Sequence, residues 1–351
     1  MPADRSDGST PAAALLGRAP GSVRAAAVAT WLVAAVHIVF GAVVRISGSG
    51  MGCRDAWPKC LHPDGRTYWF PPLDNPQILI EWTHRLLASL LLIAAATLVV
   101  VAWRNRRRAP SVVPPAAAAL GFGVFAAAFG AVTVFLENPA WATAVHKAIA
   151  AGLIAAVTAA VIRSGLFGAR RLGAQLAAGA HASAKTARGA LVGAGLTLST
   201  IVMGAMTAKT PGAAVACQGF PLCGPGSTGG AAQHVQLTHR VLAYLVALHV
   251  LGLAVAVARR GEAPALVRGA RLALGVVTLQ IVLAVGMLYT HFTVATVRSM
   301  HQATGMALWV TLFGLWYLAR AAAEQSGDAA PSLGGGAPAR AAALTPAEGA
   351  A

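Results

Sequence analysis

The chain has 351 residues, of which 57% are hydrophobic and 11% charged, and its mean hydropathy is +0.65. An ordinary soluble core cannot bury so much apolar surface, which excludes a water-soluble globular protein. The formal net charge of +16 suggests a nucleic-acid partner, but the basic residues cluster in short turns and form no continuous patch, so no nucleic acid is expected.

Eight apolar runs follow one another along the chain, each close to the ~20 residues that a helix needs to cross a bilayer. They lie at residues 24–45, 78–102, 112–134, 142–163, 189–207, 234–258, 267–288 and 298–320. Alanine and glycine dominate these runs, and small residues let helices approach closely in lipid. The predicted fold class is an all-α integral membrane protein with eight transmembrane helices.

Basic residues cluster in the turns after the second, fourth and sixth runs, whereas the turns on the other side carry few. The clustered residues are Arg104, Arg106, Arg107, Arg108, Arg163, Arg170, Arg171, Lys185, Arg188, Arg259, Arg260, Arg268 and Arg271. Positive residues flanking membrane helices favour the cytoplasmic side. We therefore expect a multi-pass protein of the cell membrane with both termini in the cytoplasm.

The runs divide into two halves of four, residues 23–163 and 189–320, joined by a basic cytoplasmic linker over residues 164–188. Because four is an even number, both halves enter the membrane in the same direction. We expect two four-helix bundles related by a pseudo-two-fold axis along the membrane normal. Residues 1–22 and 321–351 are rich in Ala, Gly, Pro and Ser and are expected to be disordered cytoplasmic tails.

Two histidines of the first half recur in the second half. His239 and His301 each lie 155 positions after their counterparts, His84 and His146. The string Thr-His-Arg-Xaa-Leu-Ala surrounds the first histidine of both pairs. A lone intramembrane histidine is more often a hydrogen-bonding group between helices, but four at matched spacing indicate ligation.

The two histidines of each half are expected at the same depth in the membrane. His84 and His146 lie five or six residues into their apolar runs, or roughly 8 to 9 Å at the rise of an α-helix. Two imidazoles at one level on neighbouring helices can supply both axial ligands of a haem iron. The same holds for His239 and His301, so two haem sites near the outer leaflet are predicted.

Two further intramembrane histidines, His37 and His249, lack counterparts at the repeat offset, so packing or cavity lining is expected for them. Outside the spans, the histidines expected in loops are His62, His181 and His291. His234 lies at the membrane edge, and no role is assigned to it.

The halves differ beside their first histidines. Glu81 lies three residues before His84 on the same helical face, and its counterpart is Gln236. An intramembrane carboxylate is costly unless it is paired or used, and glutamine cannot exchange a proton. The first half is therefore expected to do the chemistry, with Glu81 as its acid or base, while the second half holds a redox or structural cofactor. The alternative left open is that Glu81 only pairs with Arg85 or Arg45.

Cations accompany the paired histidines. Arg85 and Arg240 follow the first histidine of each half, Lys147 follows the second histidine of the first half, and Gln302 takes that position in the second half. Such cations can neutralise haem propionates, or they can be interface anchors. Arg45, which precedes a Gly-Ser-Gly turn, suits either role.

The four cysteines fall in two close pairs, Cys53 with Cys60 and Cys217 with Cys223, in loops expected outside the cell. Close pairs in an oxidising compartment usually form disulfides. A metal site of four thiolates and a thiol pair that cycles during turnover are the alternatives.

These residues make the chain similar to the haem A synthase family over about residues 24–320. The similarity is carried by Gly41-Ala-Val-Val-Arg-Ile-Ser-Gly-Ser-Gly-Met-Gly-Cys53, Glu81-Trp-Thr-His-Arg85, Val145-His146, Thr238-His239-Arg240, Met300-His301-Gln302 and the cysteine pairs. One departure is Ala56, inserted where the family more often has Pro-Asp-Trp-Pro, and it affects only the shape of the loop.

The resemblance implies an oxidoreductase that converts the C8 methyl of haem O to a formyl group in a monooxygenase-like reaction, giving haem A for cytochrome oxidase. It implies substrate haem at His84 and His146 with Glu81 as catalytic acid, and a haem b cofactor at His239 and His301. It also implies disulfides in both outer loops, the first covering the substrate pocket. Haem O would arrive through membrane lipid, an electron donor is required, and family members associate with haem O synthase or form homo-oligomers.

Two other functions compete with this one. A two-haem b-type membrane electron carrier would place its haems toward opposite faces of the membrane, whereas both histidine pairs here are expected at one level. A transporter with parallel repeats gives no reason for four matched imidazoles.

Overall fold

The computed structural model describes residues 19–54 and 56–325, and eight of the helices in these ranges are long and apolar enough to cross a membrane. They are α1 (Gly21–Ile46), α2 (Pro76–Arg104), α3 (Val113–Phe135), α4 (Ala140–Arg163), α6 (Ala184–Lys209), α7 (Gly230–Arg259), α8 (Pro264–Tyr289) and α9 (Ala295–Gln325). The predicted all-α fold with eight spans is confirmed. The protein is a multi-pass membrane protein.

Local capping fixes where α2 begins. The side chain of Asn75 accepts hydrogen bonds from the backbone N–H groups of Gln77 at 3.0 Å and Ile78 at 3.3 Å, and Pro76 occupies the first turn of α2. Proline fits there because the first N–H groups of a helix have no partner within the helix. This cap starts α2 two residues before the apolar run from which the helix was predicted.

The segment predicted as a linker, residues 164–188, is largely helical. It contains a short helix, α5 (Ala169–Ala177), and its last residues form the first turn of α6. Glu262, in the turn between α7 and α8, accepts hydrogen bonds from Thr186 Oγ1 and Arg260 Nε, both at 2.6 Å. This buried carboxylate fastens the start of α6 to a distant turn, which the local sequence does not reveal.

The predicted tail boundaries at residues 22 and 321 differ from the helix ends by a few residues. α1 begins at Gly21 and α9 continues to Gln325. The Ala321–Ala323 stretch is buried, so apolar packing extends the last helix past its predicted end. The remaining parts of the predicted tails, residues 1–18 and 326–351, lie outside the described residues.

One apolar core crosses between the two halves. It joins Ala151 and Val157 of α4 to Ala194 of α6 and Leu312 of α9. Trp309 Nε1 also donates a hydrogen bond to the carbonyl of Ala151 at 3.1 Å. The halves therefore pack tightly against each other, and the pseudo-two-fold relation between two separate bundles stays a prediction.

The helix ends form two faces. The face that we call the disulfide face carries the first loop, residues 47–75, and the second loop, residues 210–229. The opposite face, which we call the basic face, carries the arginine-rich turns that follow α2, α4 and α7. The prediction that the basic face is cytoplasmic rests on these charges.

Disulfides close both loops. Cys53 is bonded to Cys60 and Cys217 to Cys223, which confirms the predicted pairing and rules out a four-thiolate metal site. The first loop also contains a 3₁₀ turn, Ser49–Met51, and a two-stranded antiparallel hairpin, β1 (Cys60–Leu61) with β2 (Thr67–Tyr68).

The first loop carries exposed apolar side chains. Phe70 is 76% exposed and Leu73 82%, and Trp57 and Trp69 are also exposed. Aromatic side chains are common at the level where lipid headgroups meet hydrocarbon. This surface of the loop suits the membrane interface.

Candidate functional site

The first cavity, with a volume of about 780 Å³, lies toward the disulfide face. Helices α1 to α4 and the first loop form most of its wall. The second half adds Ile201 and Lys209 from α6 and Gln302 from α9. The substrate site predicted for residues 23–163 therefore also takes residues from the other half.

His84 and His146 both line the first cavity. His84 lies eight residues after the start of α2, and His146 six residues after the start of α4. The depths are thus slightly larger and less equal than the apolar runs predicted, because α2 begins earlier. Both imidazoles face the same interior space and not the lipid.

His37 joins these two histidines. Its ring centroid lies 4.4 Å from that of His84, and its Nε2 is buried without a hydrogen-bond partner among the residues described. The expectation of cavity lining for His37 is correct, since it borders the first cavity. Its contact with His84 was not foreseen.

Glycines place the histidines in both halves. A Cβ at Gly41 would lie 3.2 Å from His84 Nε2, and a Cβ at Gly204 would lie 3.0 Å from His239 Cε1. Each glycine thus gives room to the ring of its half. His37 lies four residues before Gly41, and Thr200 lies four residues before Gly204. Aligning these glycines would have shown that the first half has an imidazole where the second has threonine.

The second cavity, with a volume of about 270 Å³, contains the other histidine pair. His239 of α7 and His301 of α9 both line it. His239 Nδ1 lies 3.1 Å from the carbonyl of Thr200, and His301 Nε2 lies 3.2 Å from Gln280 Nε2. Gln280, on α8, was missed by the sequence analysis because it has no place in the histidine repeat.

The imidazoles of both cavities retain ring nitrogens that could bind iron. Within the described ranges, His146 Nδ1 and His301 Nδ1 are buried with no hydrogen-bond partner. His239 is held at Nδ1, which leaves Nε2 available, as is usual for metal-binding histidines. A haem iron needs only two protein ligands because the porphyrin supplies the others, so the two imidazoles of each cavity fit haem.

Glu81 holds the first loop in place. One carboxylate oxygen accepts a hydrogen bond from the backbone N–H of Cys53 at 2.7 Å, and the other pairs with Arg85 at 2.5 Å. Glu81 is 4% exposed and lines the first cavity. The alternative that Glu81 pairs with Arg85 is therefore realised, although this pairing leaves it in the cavity wall.

Gln236 performs the matching task in the second half. Its side-chain oxygen accepts a hydrogen bond from the backbone N–H of Cys217 at 2.5 Å, and its amide donates to the carbonyl of Ala214 at 2.9 Å. Both residues thus fasten a disulfide loop to the helix that carries the first histidine. The difference between Glu81 and Gln236 is one of charge and not of loop attachment.

Arg85 and Arg240 are engaged by the loops. Arg85 Nη1 donates hydrogen bonds at 2.8 Å to the carbonyls of Ala56 and Lys59. Arg240 donates to the carbonyls of Gly219 at 2.8 Å and Cys217 at 3.0 Å. Both border a cavity, and their roles as propionate cations or interface anchors stay predictions.

Arg45 faces the cavities more openly. It lines both of them, and its Nε and Nη2 donate to Gln302 Oε1 at 3.0 and 2.5 Å. Lys147 also lines both cavities. Of the cations named from the sequence, Arg45 and Lys147 thus remain suited to binding carboxylates.

The remaining histidines have structural or peripheral positions. His249 lies 2.7 Å from the carbonyl of Gly189, which agrees with the packing role expected of it. In the first loop, the side chain of Asp74 accepts a hydrogen bond from His62 at 3.0 Å. This bond raises the pKa of His62 above its ordinary value.

A model of the COX15-CtaA family of cytochrome oxidase assembly proteins matches residues 73–313, more than two thirds of the chain. The chain belongs to this family. It is 27% identical over 231 residues to the haem A synthase of Bacillus pumilus, an alignment that covers 64% of this chain and 71% of that protein. Two shorter stretches, of 62 and 53 residues, are 40% identical to the haem A synthases of Geobacillus kaustophilus and Geobacillus thermodenitrificans, and cover 18% and 15% of each chain.

The matched range of this COX15-CtaA protein contains the four paired histidines, Glu81 and the second disulfide. It begins after His37, Arg45 and the first disulfide. The family resemblance inferred from the sequence is confirmed.

Proposed function

We propose that this COX15-CtaA protein is a haem A synthase that oxidises the C8 methyl of haem O to a formyl group. The observation that carries the proposal is the pair of cavities, each lined by one of the two histidine pairs. Only the first cavity, which His37 also borders, is lined by a carboxylate on the helix of its first histidine, that of Glu81. The names of the relatives, haem A synthase, support the same activity.

The first cavity is the proposed substrate site. Its volume of about 780 Å³ is nearly three times that of the second, about 270 Å³. A roomy cavity bordered by the first loop suits a substrate that must enter and a product that must leave. The smaller volume of the second cavity suits a group that stays bound.

His84 and His146 would hold the iron of haem O, and the surrounding cavity wall would set which porphyrin edge faces Glu81. Orientation of this kind supplies selectivity among similar methyl groups. The change from methyl to formyl adds one oxygen atom and removes four electrons; two hydroxylations give a geminal diol, which loses water. An oxygen source and a redox partner outside the chain complete the balance.

Glu81 is the proposed acid or base. Its carboxylate is held by Arg85 and by the N–H of Cys53, so its position relative to the bound substrate is fixed. A proton-exchanging group held beside a reacting carbon typically accelerates proton transfer by about 10² to 10⁴. Gln236 gives the second half the same attachment without this capacity.

His239 and His301 would hold a haem b cofactor, which when bound supplies electron transfer. Their ring nitrogens fit such a group, because His301 Nδ1 is without a partner among the described residues while Nε2 contacts Gln280. We also propose that the protein lies in the cell membrane with its basic face in the cytoplasm. Haem O synthase, which makes the substrate, is the proposed partner, and a homo-oligomer is the proposed assembly.

The test is Glu81→Gln, which copies the second half. The glutamine keeps an oxygen for the N–H of Cys53 but loses the charge, so we expect the haem content to stay and haem A formation to fall at least about a hundredfold. Mass analysis of extracted haems measures both quantities. Normal amounts of haem A from this variant would rule out the proposed role.

A matched control is Glu262→Gln, because Glu262 is equally buried, 3% exposed, but lies at the basic face away from both cavities. It should leave haem A formation intact. The same mass analysis separates the rival electron carrier. The purified carrier would contain haem b alone, and deleting and restoring its gene would leave the haem A of the cells unchanged. Both cavities are lined in part by loops of the disulfide face, Trp57 for the first and Phe220 for the second, which disfavours a carrier that moves electrons across the membrane.

A further inference from the structure

The two cavities share part of their wall. Arg45, Lys147 and Gln302 line both cavities, although they come from three helices and from both halves of the chain. Two further cations border one cavity each. Lys209 lines the first cavity, and Arg298 lines the second.

These four cations form one group. Arg45 is within electrostatic reach of Lys147, Lys209 and Arg298. Within residues 19–54 and 56–325, none of the four forms an ion pair with an acidic side chain. Arg45 donates to the neutral oxygen of Gln302.

The acidic residues at the first cavity do not balance this charge. Glu81 is paired with Arg85, and Glu137 lies exposed in the turn between α3 and α4. Partly buried cations in a membrane protein are costly without a counter-charge. A ligand with carboxylates can supply this counter-charge from either cavity.

We propose that Arg45 and Lys147 form a shared wall that binds the carboxylates of the ligands in both cavities, from opposite sides. Lys209 completes the wall for the first cavity and Arg298 for the second. This inference rests on the proposed function for the identity of the ligands, which are haems whose propionates point toward each other across the wall. Four cations then face the four propionates of two haems.

The shared wall predicts a pattern of substitutions that separate sites would not give. Arg45→Gln should weaken haem binding at least about tenfold in both cavities, since a hydrogen bond to a charged group is lost in each. Lys209→Gln should weaken only the first cavity, and Arg298→Gln only the second. Arg45→Lys keeps the charge and should retain most of the affinity.

The experiment titrates the purified full-length protein with haem b and follows the Soret band. The first cavity is measured in a His239→Ala/His301→Ala background and the second in a His84→Ala/His146→Ala background. Haem b dimethyl ester, which has no carboxylates, is the matched probe. Thermal unfolding of each variant verifies that it is folded.

The proposal expects Arg45→Gln to weaken haem b in both backgrounds and to leave binding of the dimethyl ester unchanged. An effect confined to one cavity would overturn the shared wall. Equal weakening of haem b and its ester would also overturn it, because the residue would then support the fold and not the carboxylates. Haem binding with the expected pattern but without haem A formation would contradict the proposed function and leave the wall standing.

Discussion

Glu81 and Gln236 show how one side-chain position can keep its structural task and change its chemistry. Both accept a hydrogen bond from the backbone N–H of a disulfide cysteine, Cys53 or Cys217. The sequence revealed the difference in charge but not the shared attachment, because the bonds join helices to loops 28 and 19 residues away. The repeat therefore indicated where function differs, and the structure explains why the shape is preserved.

The contact between His37 and His84 gives a prediction at the residue scale. His37→Thr, which copies Thr200 of the second half, removes a ring contact of the kind that contributes roughly 0.5–1.5 kcal/mol. We expect the dissociation constant of haem b in the first cavity to rise by about two- to tenfold, measured by Soret titration in the His239→Ala/His301→Ala background.

Thr200→Val serves as the control for this prediction, because its side chain lies in the second half and should leave the first cavity unaffected. Unchanged affinity in His37→Thr would show that the ring contact does not position His84. The spacing in the sequence was enough to select the four paired histidines. His37 has no such spacing, and its relation to His84 became apparent only from the close approach of Gly41 to the His84 ring.

At the scale of helices and loops, apolar length alone predicted all eight spans, because each must satisfy its backbone hydrogen bonds inside the bilayer. The helical content of the linker between the halves was not predicted. Thr186, near the end of this linker, is buried together with Glu262, which lies 76 residues away in the sequence. A contact of that separation has no local signature.

The first loop provides a prediction of pH dependence. The pKa of His62 is raised chiefly by its hydrogen bond to Asp74. A raised pKa in the folded loop means that protonated His62 stabilises the loop at low pH, and that this contribution is lost as the pH rises through the folded value. Tryptic cleavage at the exposed Arg66 should therefore accelerate as the pH rises above the ordinary histidine pKa of about 6.5, beyond the change in protease activity.

Asp74→Asn is the matched variant, since it removes the main partner of His62. Its cleavage, normalised to an unstructured peptide substrate, should be fast at low pH already and vary less with pH. If the variant and the unaltered protein followed one pH profile, the bond from His62 to Asp74 would not be what fastens the loop.

At the scale of the whole molecule, the arginine-rich turns predict which face lies in the cytoplasm. The four cysteines are all in disulfides, so single introduced cysteines can report on sidedness. In intact cells an impermeant maleimide should label Leu73→Cys at the disulfide face. It should label Arg107→Cys at the basic face only after the membrane is permeabilised, and the reverse pattern would refute the orientation.

The division into two halves was visible in the sequence, but their joint construction was not. The core joins α4 to α9, and Arg45 and Gln302 bridge the halves at the cavities. A repeat in sequence shows that two units are alike and does not show which of their surfaces meet. The apolar faces that pack between halves have the same composition as those that face lipid, because both environments favour the same side chains.

The apolar surface of the first loop has a consequence for how a ligand would leave the first cavity. Trp69 and Phe70 are exposed on the outside of the loop and also border the first cavity. Under the proposed function, a porphyrin that left beside them would reach the acyl chains without crossing open water. Its release would then be expected to depend on the fluidity of the surrounding bilayer and not on aqueous solubility.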